Sequence, residues 1–355
     1  MDQDMLRKQW KRYNFDRKIG KALGKNVKLL DSEIVCLKNS REKSSIWKVM
    51  LYEKIEPIPV VLKTYKRPLK ENHVVEINMY KKANAALKAF MPKVYLIEEN
   101  MGSDEVWLFM EFVQPLRGQI KLTPKHYDHI IPVLAEFHAT TYGNRIHDHV
   151  DTYDSWLPTY NSKDMALERE KHVNKTKKYL DLAIEDARLR KVIEPSYEAL
   201  YRILQKGPLF FPEVMESGQS LIHGDLHIHN ISCHNANDDT DWAIRFVDWE
   251  SAKYAPGWYD MVVLVEILLD FRRDWRKDAE QIRQHCVNLY TEEMKRQGIV
   301  FQTEPMQLFK MAYLQRTLEK RLLNHIRRVL RGEESVLLER YIEKTLLWGK
   351  ELGLT

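Results

Sequence analysis

The stretch LIHGDLHIHN, residues 221 to 230, gathers His223, Asp225, His227, His229 and Asn230, all side chains able to do chemistry. Two chemistries suit such a set. With Cys233 and His234 close behind, the histidines invite a zinc reading. They lack the paired Cys-x2-Cys and His-x3-His spacings of closed zinc sites, however, and histidines alternating along a strand face opposite sides. His227 and His229 taken singly read more simply as satisfying local backbone groups. The second chemistry is phosphoryl transfer, which uses a carboxylate and a side-chain amide five residues apart, as in His223-x-Asp225-x4-Asn230. Asp225 would orient the attacking hydroxyl, and Asn230 would hold a magnesium ion. Such a cation needs a further hard oxygen ligand. Asp248 in IRFVDWE offers one, 18 residues beyond Asn230 at the end of an apolar run.

Phosphate chemistry of this kind also needs a lysine on a strand, paired with a glutamate on a helix, to align the nucleotide. VVLKTY puts Lys63 on an expected strand, and Glu76 lies in the expected helix after it. Upstream, CLKNSREKSSIWKVML reads as strand, turn and strand, a phosphate flap without glycine, in which the Ser44 and Ser45 backbone amides are candidate phosphate donors.

On these residues the chain resembles the aminoglycoside phosphotransferase and choline kinase family of small-molecule kinases. Lys63, Glu76, the hinge-like FMEFV with Glu111 and Val113, LAEFHA at 134–139, HGDLHIHN, VDWE with Glu250, and Asp260 in PGWYD carry the resemblance, which spans roughly residues 30 to 300. It implies a two-lobed, α+β, protein-kinase-like fold with a small β-rich N-lobe and a larger, mainly α-helical C-lobe. It also implies that Asp225 is the catalytic aspartate, that Asn230 and Asp248 bind Mg2+, and that ATP, or GTP, contacts Lys63, Glu76, Ser44, Ser45, Glu111 and Val113. His223 and Glu250 become supporting residues. Asp260 would brace the catalytic loop, although near the start of a helix it serves equally well as a cap.

The elements that must position these groups can be read from periodicity. Residues 34 to 113 carry β-branched and aromatic runs separated by polar turns, and ENHVVEINMYKKANAALKAF between them has helical spacing. TPKHYDHIIPVLAEFHATTYG opens a helix on Thr123-Pro124, and most of the chain beyond it is helical. In the middle, SLIHGDLHIHNISCHN and WAIRFVDWES read as two short strands around a polar turn. We therefore expect a nucleotide-binding lobe at 1–113 with a helical extension at 1–30. A catalytic and substrate lobe is expected at 114–355 with a helical insertion near 150–215.

Composition narrows the class. The chain has 355 residues, 44% hydrophobic and 30% charged, with a net charge of +5, which suits a folded chain of two domains and gives no basic tract for nucleic acid. Glu266 interrupts MVVLVEILLDF, so no apolar run reaches membrane-spanning length. Three cysteines without CxxC spacing and an N-terminus without an apolar signal core point to the cytoplasm. Nothing sets an oligomeric state.

Only 12 positions separate Asp248 from Asp260, too few for a protein kinase's activation loop, so the expected acceptor is a small molecule. The helical insertion carries Asp181, Glu185 and Asp186, which either face a cationic amino-sugar or amino-alcohol acceptor or form a solvated helical face. In LQRTLEKRLLNHIRRVLR, Arg316, Lys320, Arg327 and Arg331 form a stripe opposite Leu318, Leu322, Ile326 and Val329, the pattern of a basic face turned to water or to an acidic ligand. The rival function is a catalytically idle, kinase-like binding or structural protein.

Overall fold

The computed structural model describes residues 2–39, 44–83, 85–99, 105–149, 153–238, 242–334 and 337–355. Its strands, in chain order, are β1 (Lys28–Asn39), β2 (Ser44–Glu53), β3 (Glu56–Lys66), β4 (Val94–Glu98), β5 (Glu105–Glu111), β6 (Ser220–Ile222), β7 (Ile231–Cys233), β8 (Ile244–Phe246) and β9 (Lys253–Ala255). The chain divides into two compact units. One comprises residues 1–122, 149–156 and 229–251, the other 123–148, 157–228 and 252–355.

The first unit is built on an antiparallel sheet of order β1-β2-β3-β5-β4. Period-two alternation puts Trp47, Val49 and Leu51 of β2, Val60 and Leu62 of β3, and Trp107 and Phe109 of β5 into one buried cluster. The amphipathic helices Gln3–Arg12 and Phe15–Leu23 add Leu6, Trp10, Phe15 and Ile19 to it, at helical spacing. The first begins on the carboxylate of Asp2, which accepts from the Met5 amide at 2.8 Å, and ends on Lys11 and Arg12, favourable signs for the helix dipole. Because side chains alternate, Lys63 in β3 projects away from the face that Val60 and Leu62 give to this cluster. The helix Glu71–Lys82 comes after β3 and carries Glu76.

A split at residue 113 differs from these units, because the β7–β8 hairpin belongs with the sheet-bearing unit. The Leu116 amide donates to Ile231 O at 2.9 Å, Cys233 N donates to Gln114 O at 3.0 Å, and Phe246 N donates to Phe90 O at 2.7 Å. The two strands expected around the polar turn also partition differently. Gly224, with φ of 81°, breaks the first run, so β6 pairs with β9 while β7 pairs with β8.

The second unit is mainly helical: Tyr127–Thr140, Lys163–Glu185, Ala187–Ile193, Tyr197–Gln205, Trp258–Phe271, Ala279–Arg296, Pro305–Arg316, Leu322–Leu330 and Leu338–Glu351 are its longer helices. Trp258–Phe271 is the apolar run that Glu266 interrupts, and it is buried along nearly its whole length. Glu266 is fully buried with two cations on it, Arg283 Nε at 2.6 Å and Lys344 Nζ at 2.6 Å. Burial favours the neutral acid, but Lys344 and Arg283 outweigh it and hold the carboxyl below its ordinary pKa. No described helix is long and apolar enough to cross a membrane.

Glu266→Ala leaves both cations without their carboxylate and is expected to cost about 3–5 kcal/mol at neutral pH. Since the folded carboxyl titrates below its unfolded counterpart, its contribution is present above the unfolded pKa of about 4.3 and disappears as pH falls through the lower folded value. Urea unfolding of the native chain and the variant across pH should show the gap closing in acid. A gap independent of pH contradicts the ion-pair account.

Candidate active site

In the sheet-bearing unit, one lysine joins two carboxylates. Lys63 Nζ donates to Glu76 Oε1 and Oε2 at 2.7 and 2.6 Å and to Asp248 Oδ1 at 2.7 Å. Lys63 is 6% exposed and Glu76 1%, whereas the Asp248 side chain keeps 35% of its surface. Burial alone would favour neutral Lys63, but Glu76 and Asp248 together raise its pKa above the ordinary lysine value, so it stays an ammonium. The strand supplies the lysine, the helix after it the glutamate, and the end of the β8 segment the aspartate. Asp248 sits at φ 69°, a left-handed conformation that aspartate tolerates better than most residues and that turns the chain sharply after β8.

The same unit sets Asn230 beside this corner. Asn230 is buried at the foot of β7, and its carbonyl accepts from the Val247 amide at 2.9 Å, one residue before Asp248. The hairpin, with Ile231 opposite Phe246, therefore brings the two expected metal ligands to one end. Their oxygens form a hard donor set of the kind Mg2+ accepts, with few protein ligands and the remainder from water and phosphate. Glu250 is two residues further on and accepts from Asn72 Nδ2 at 2.8 Å, which ties the Asp248 segment to the helix carrying Glu76. Glu111 ends β5, and its carboxylate meets the Lys93 amide at 3.1 Å and His234 at 3.2 Å; Val113 is buried just beyond. Ser44 and Ser45 lie within β2, opposite Tyr65 and Thr64, and not in a turn. Ser45 Oγ donates to Asn39 at 3.0 Å. Paired positions inside a sheet are poorer phosphate donors than free turn amides. The flap turn itself, residues 40–43, lies outside the described residues.

In the helical unit, β6 delivers the chain into the loop His223–Asp225. Asp260, fully buried, accepts from the His223 amide at 2.6 Å and the Gly224 amide at 2.8 Å. His138 reaches the same carboxylate at 3.4 Å and touches Tyr290 OH at 2.9 Å with its other ring nitrogen. Of the two local accounts of Asp260, the structure builds the brace: the helix that holds it starts at Gly257 without a side-chain cap. Burial would raise the Asp260 pKa, but His138, His223 and the donated amide hydrogen bond bring it below the ordinary range. Asp225 is half-exposed, with His227 Nε2 at 3.5 Å. Its burial is likewise outweighed by His227, His223 and Arg316, so it is an anion at neutral pH.

The histidines disperse. His227 faces Asp225, His229 meets Arg117, and His234 meets Glu111. Among the described residues no group of three or more histidine, cysteine or acidic side chains converges as a metal site. Two of the carboxylates weighed for a cationic acceptor have local partners: Asp181 accepts from Tyr197 OH at 2.6 Å, and Asp186 caps the helix Ala187–Ile193 through the Arg188 and Leu189 amides. The basic stripe near the C-terminus is not one solvated face. A π-helical turn at Thr317–Arg321 interrupts the expected helix, and Arg316 turns inward, with Nη2 donating to Gly224 O at 3.2 Å. Lys253 on β9 is the second cation that sequence reasoning misses; a lone lysine in AKYAPG carries no spacing signal.

A model of the phosphotransferase enzyme family matches residues 52–295, more than half of the chain and all the positions above from Lys63 to Asp260. No curated protein sequence matches. Among solved structures, an ethanolamine kinase of Plasmodium vivax is similar over 90% of this chain and 82% of its own, with a TM-score of 0.50 at 15% identity. A spectinomycin phosphotransferase in complex with ADP and spectinomycin covers 91% of this chain and 93% of its own, at TM-score 0.49 and 11% identity. An aminoglycoside phosphotransferase of Streptomyces rimosus in complex with ADP and streptomycin covers 78% and 90%, at TM-score 0.45 and 11% identity. The family match thus falls on the span that holds the lysine, glutamate and aspartate of one unit and the braced aspartate loop of the other, and the chain belongs to the phosphotransferase enzyme family as a small-molecule kinase.

Proposed function

We propose that this enzyme moves the γ-phosphoryl group of ATP, or of GTP, to a hydroxyl of a small molecule with the help of Mg2+. The observation that carries the reading is the Lys63 ammonium held between Glu76 and Asp248. A lysine whose charge and direction are fixed before any ligand arrives is a ready partner for nucleotide phosphates. Asp248 and Asn230 are the residues that would hold the metal, which when bound neutralises charge on the transferring phosphoryl group. Glu111, the last residue of β5, and Val113 just beyond it are the adenine-side segment, and Ser44 and Ser45 flank the flap. Residues 1–113 then serve as the nucleotide-binding region and 114–355 as the catalytic and acceptor region.

Asp225 has the remaining role. Ionised and half-exposed, it can accept a hydrogen bond from the acceptor hydroxyl and take its proton as the P–O bond forms. His223 and Asp260 act through it: their hydrogen bonds fix the loop, so catalysis rests mainly on positioning. Cys36, Cys233 and Cys286 are all free thiols, which suits a reducing compartment, and we place the enzyme in the cytoplasm.

Asp225→Asn should keep nucleotide affinity within about threefold while transfer falls by about 100-fold or more, because it removes the proton acceptor without adding bulk. Acceptor-dependent ADP release together with nucleotide calorimetry reads both quantities. Full activity in the variant moves the chemistry elsewhere, and nucleotide-dependent stabilisation of the native chain without turnover on any acceptor favours the idle binding protein.

Asp248→Ala should instead remove the magnesium dependence of nucleotide affinity, since a metal ligand is lost. Titrations with Mg2+ and with a chelator are the check. An unchanged magnesium effect contradicts the assignment of Asp248.

A further inference from the structure

Beside the Asp225 loop the helical unit holds two cations that pair with no described carboxylate. Arg316 closes the helix Pro305–Arg316, donates through Nη2 to the carbonyl of Gly224, and lies with its guanidinium 5.6 Å from the Tyr259 ring centre. Its Nε is sealed from solvent without a hydrogen-bond partner, and the residue makes no ion pair with any described residue. Lys253 is half-buried in β9, opposite Ile222, the residue that leads into the loop. Its ammonium makes no hydrogen bond or ion pair with any described residue. Burial, Arg316 and Lys320 depress its pKa to about 8, against the pull of Glu319 and Asp260.

Of the three carboxylates that act on these cations, Asp225 is the loop's own half-exposed aspartate, which Arg316 helps to keep ionised without forming an ion pair, and the other two are engaged elsewhere. Glu319 accepts from Gln315 Nε2 at 2.6 Å and from the Tyr160 hydroxyl, with Arg169 Nε at 3.9 Å. Asp260 gives both oxygens to the His223 and Gly224 amides and to His138. Partly buried cations that no described carboxylate meets in an ion pair are under-compensated in a folded chain, and an anionic ligand is what such a pair accommodates. The π-helical turn after Arg316 makes the arrangement possible, since it lets Arg316 face the loop while Arg327, in the next helix, lies 5.7 Å from the Tyr179 ring centre. Arg316 also lies outside the span that the family match covers.

We infer that the acceptor carries an acidic group, a carboxylate or a phosphate, besides its reactive hydroxyl, and that Arg316 and Lys253 bind that group next to the Asp225 loop. The inference rests on the phosphotransfer reading for which hydroxyl reacts, but not for anion binding itself. Arg316 supplies a planar, two-pronged donor suited to either anion, and Lys253 a point charge. A purely cationic acceptor would be repelled from the same place.

The test is calorimetric titration of the full chain with glycerol 3-phosphate and with glycerate, against glycerol and ethanolamine, with saturating ADP and magnesium present so that nucleotide phosphate contacts are filled. Saturable binding of one or both anions is expected, the two arms separating phosphate from carboxylate, with no comparable binding of the neutral and cationic probes. Lys253→Gln and Arg316→Gln should each weaken it by about thirtyfold or more, and Arg316→Lys should recover part of the loss. The melting temperature of each variant identifies one that fails to fold, in which case the other carries the test. Absence of anion binding, equal binding of ethanolamine, or undiminished anion binding in folded Lys253→Gln and Arg316→Gln chains overturns the inference. Acceptor-dependent ADP release is read separately: anion binding through the two cations without phosphoryl transfer to any acceptor overturns the phosphotransfer reading alone.

Discussion

The ammonium of Lys63 is the contact on which the sheet-bearing unit is organised. Three separate pieces of chain converge on it: a strand, the helix after it, and the turn after β8, 185 residues from Lys63. The strand or the helix alone would leave a buried charge. Glu76, almost without solvent, is tolerable as an anion only with its cation, and burial would push Lys63 towards its neutral form without its carboxylates. The link from Asn72 to Glu250 repeats the tie between helix and turn one layer out. Stability and chemistry are therefore hard to separate here: the ion cluster that would align phosphates also closes the local structure.

The helical unit uses a different device for the same purpose. Asp225, the aspartate proposed for catalysis, is half-exposed, and rigidity lies in its neighbours. Asp260 takes the amides of His223 and Gly224, His138 backs Asp260, and Tyr290 backs His138. Gly257 is needed in this stack, since a Cβ there would come within 2.6 Å of the Tyr290 hydroxyl and 2.8 Å of His138 Nδ1. Buried networks of this type are favourable only when each member is satisfied.

How much of this architecture is legible in the sequence depends on how local each signal is. Lys63, Glu76, Asp225, Asn230 and Asp248 stand out as candidates because phosphoryl transfer requires those types in that order, and of them Lys63, Glu76 and Asp248 are in contact. Ser44 and Ser45 read as part of a turn because a run of polar residues looks like one; the ladder with β3 extends through them. The Asp260 brace is ambiguous because a helix start explains an aspartate as well as a distant loop does. Glu266 marks a break in an apolar run, yet its partners Arg283 and Lys344 lie on other helices and leave no mark beside it. A helical wheel assigns Arg316 to a wet face because it assumes a constant turn, and the wheel fails at Thr317.

That turn separates the electrostatics of the helical unit from the exact length of its helix. Across Thr317–Arg321 the helix advances by a wider turn, so the residues before it and after it keep different angular phases on one continuous rod. Loss of a single residue there would restore an ordinary helix and leave the two halves facing as they do, because the wider turn holds one extra residue within the same full rotation. Arg316, which precedes the turn, would keep its place beside Gly224. The charge presented at the aspartate loop is thereby insulated from a one-residue change of length at Thr317–Arg321.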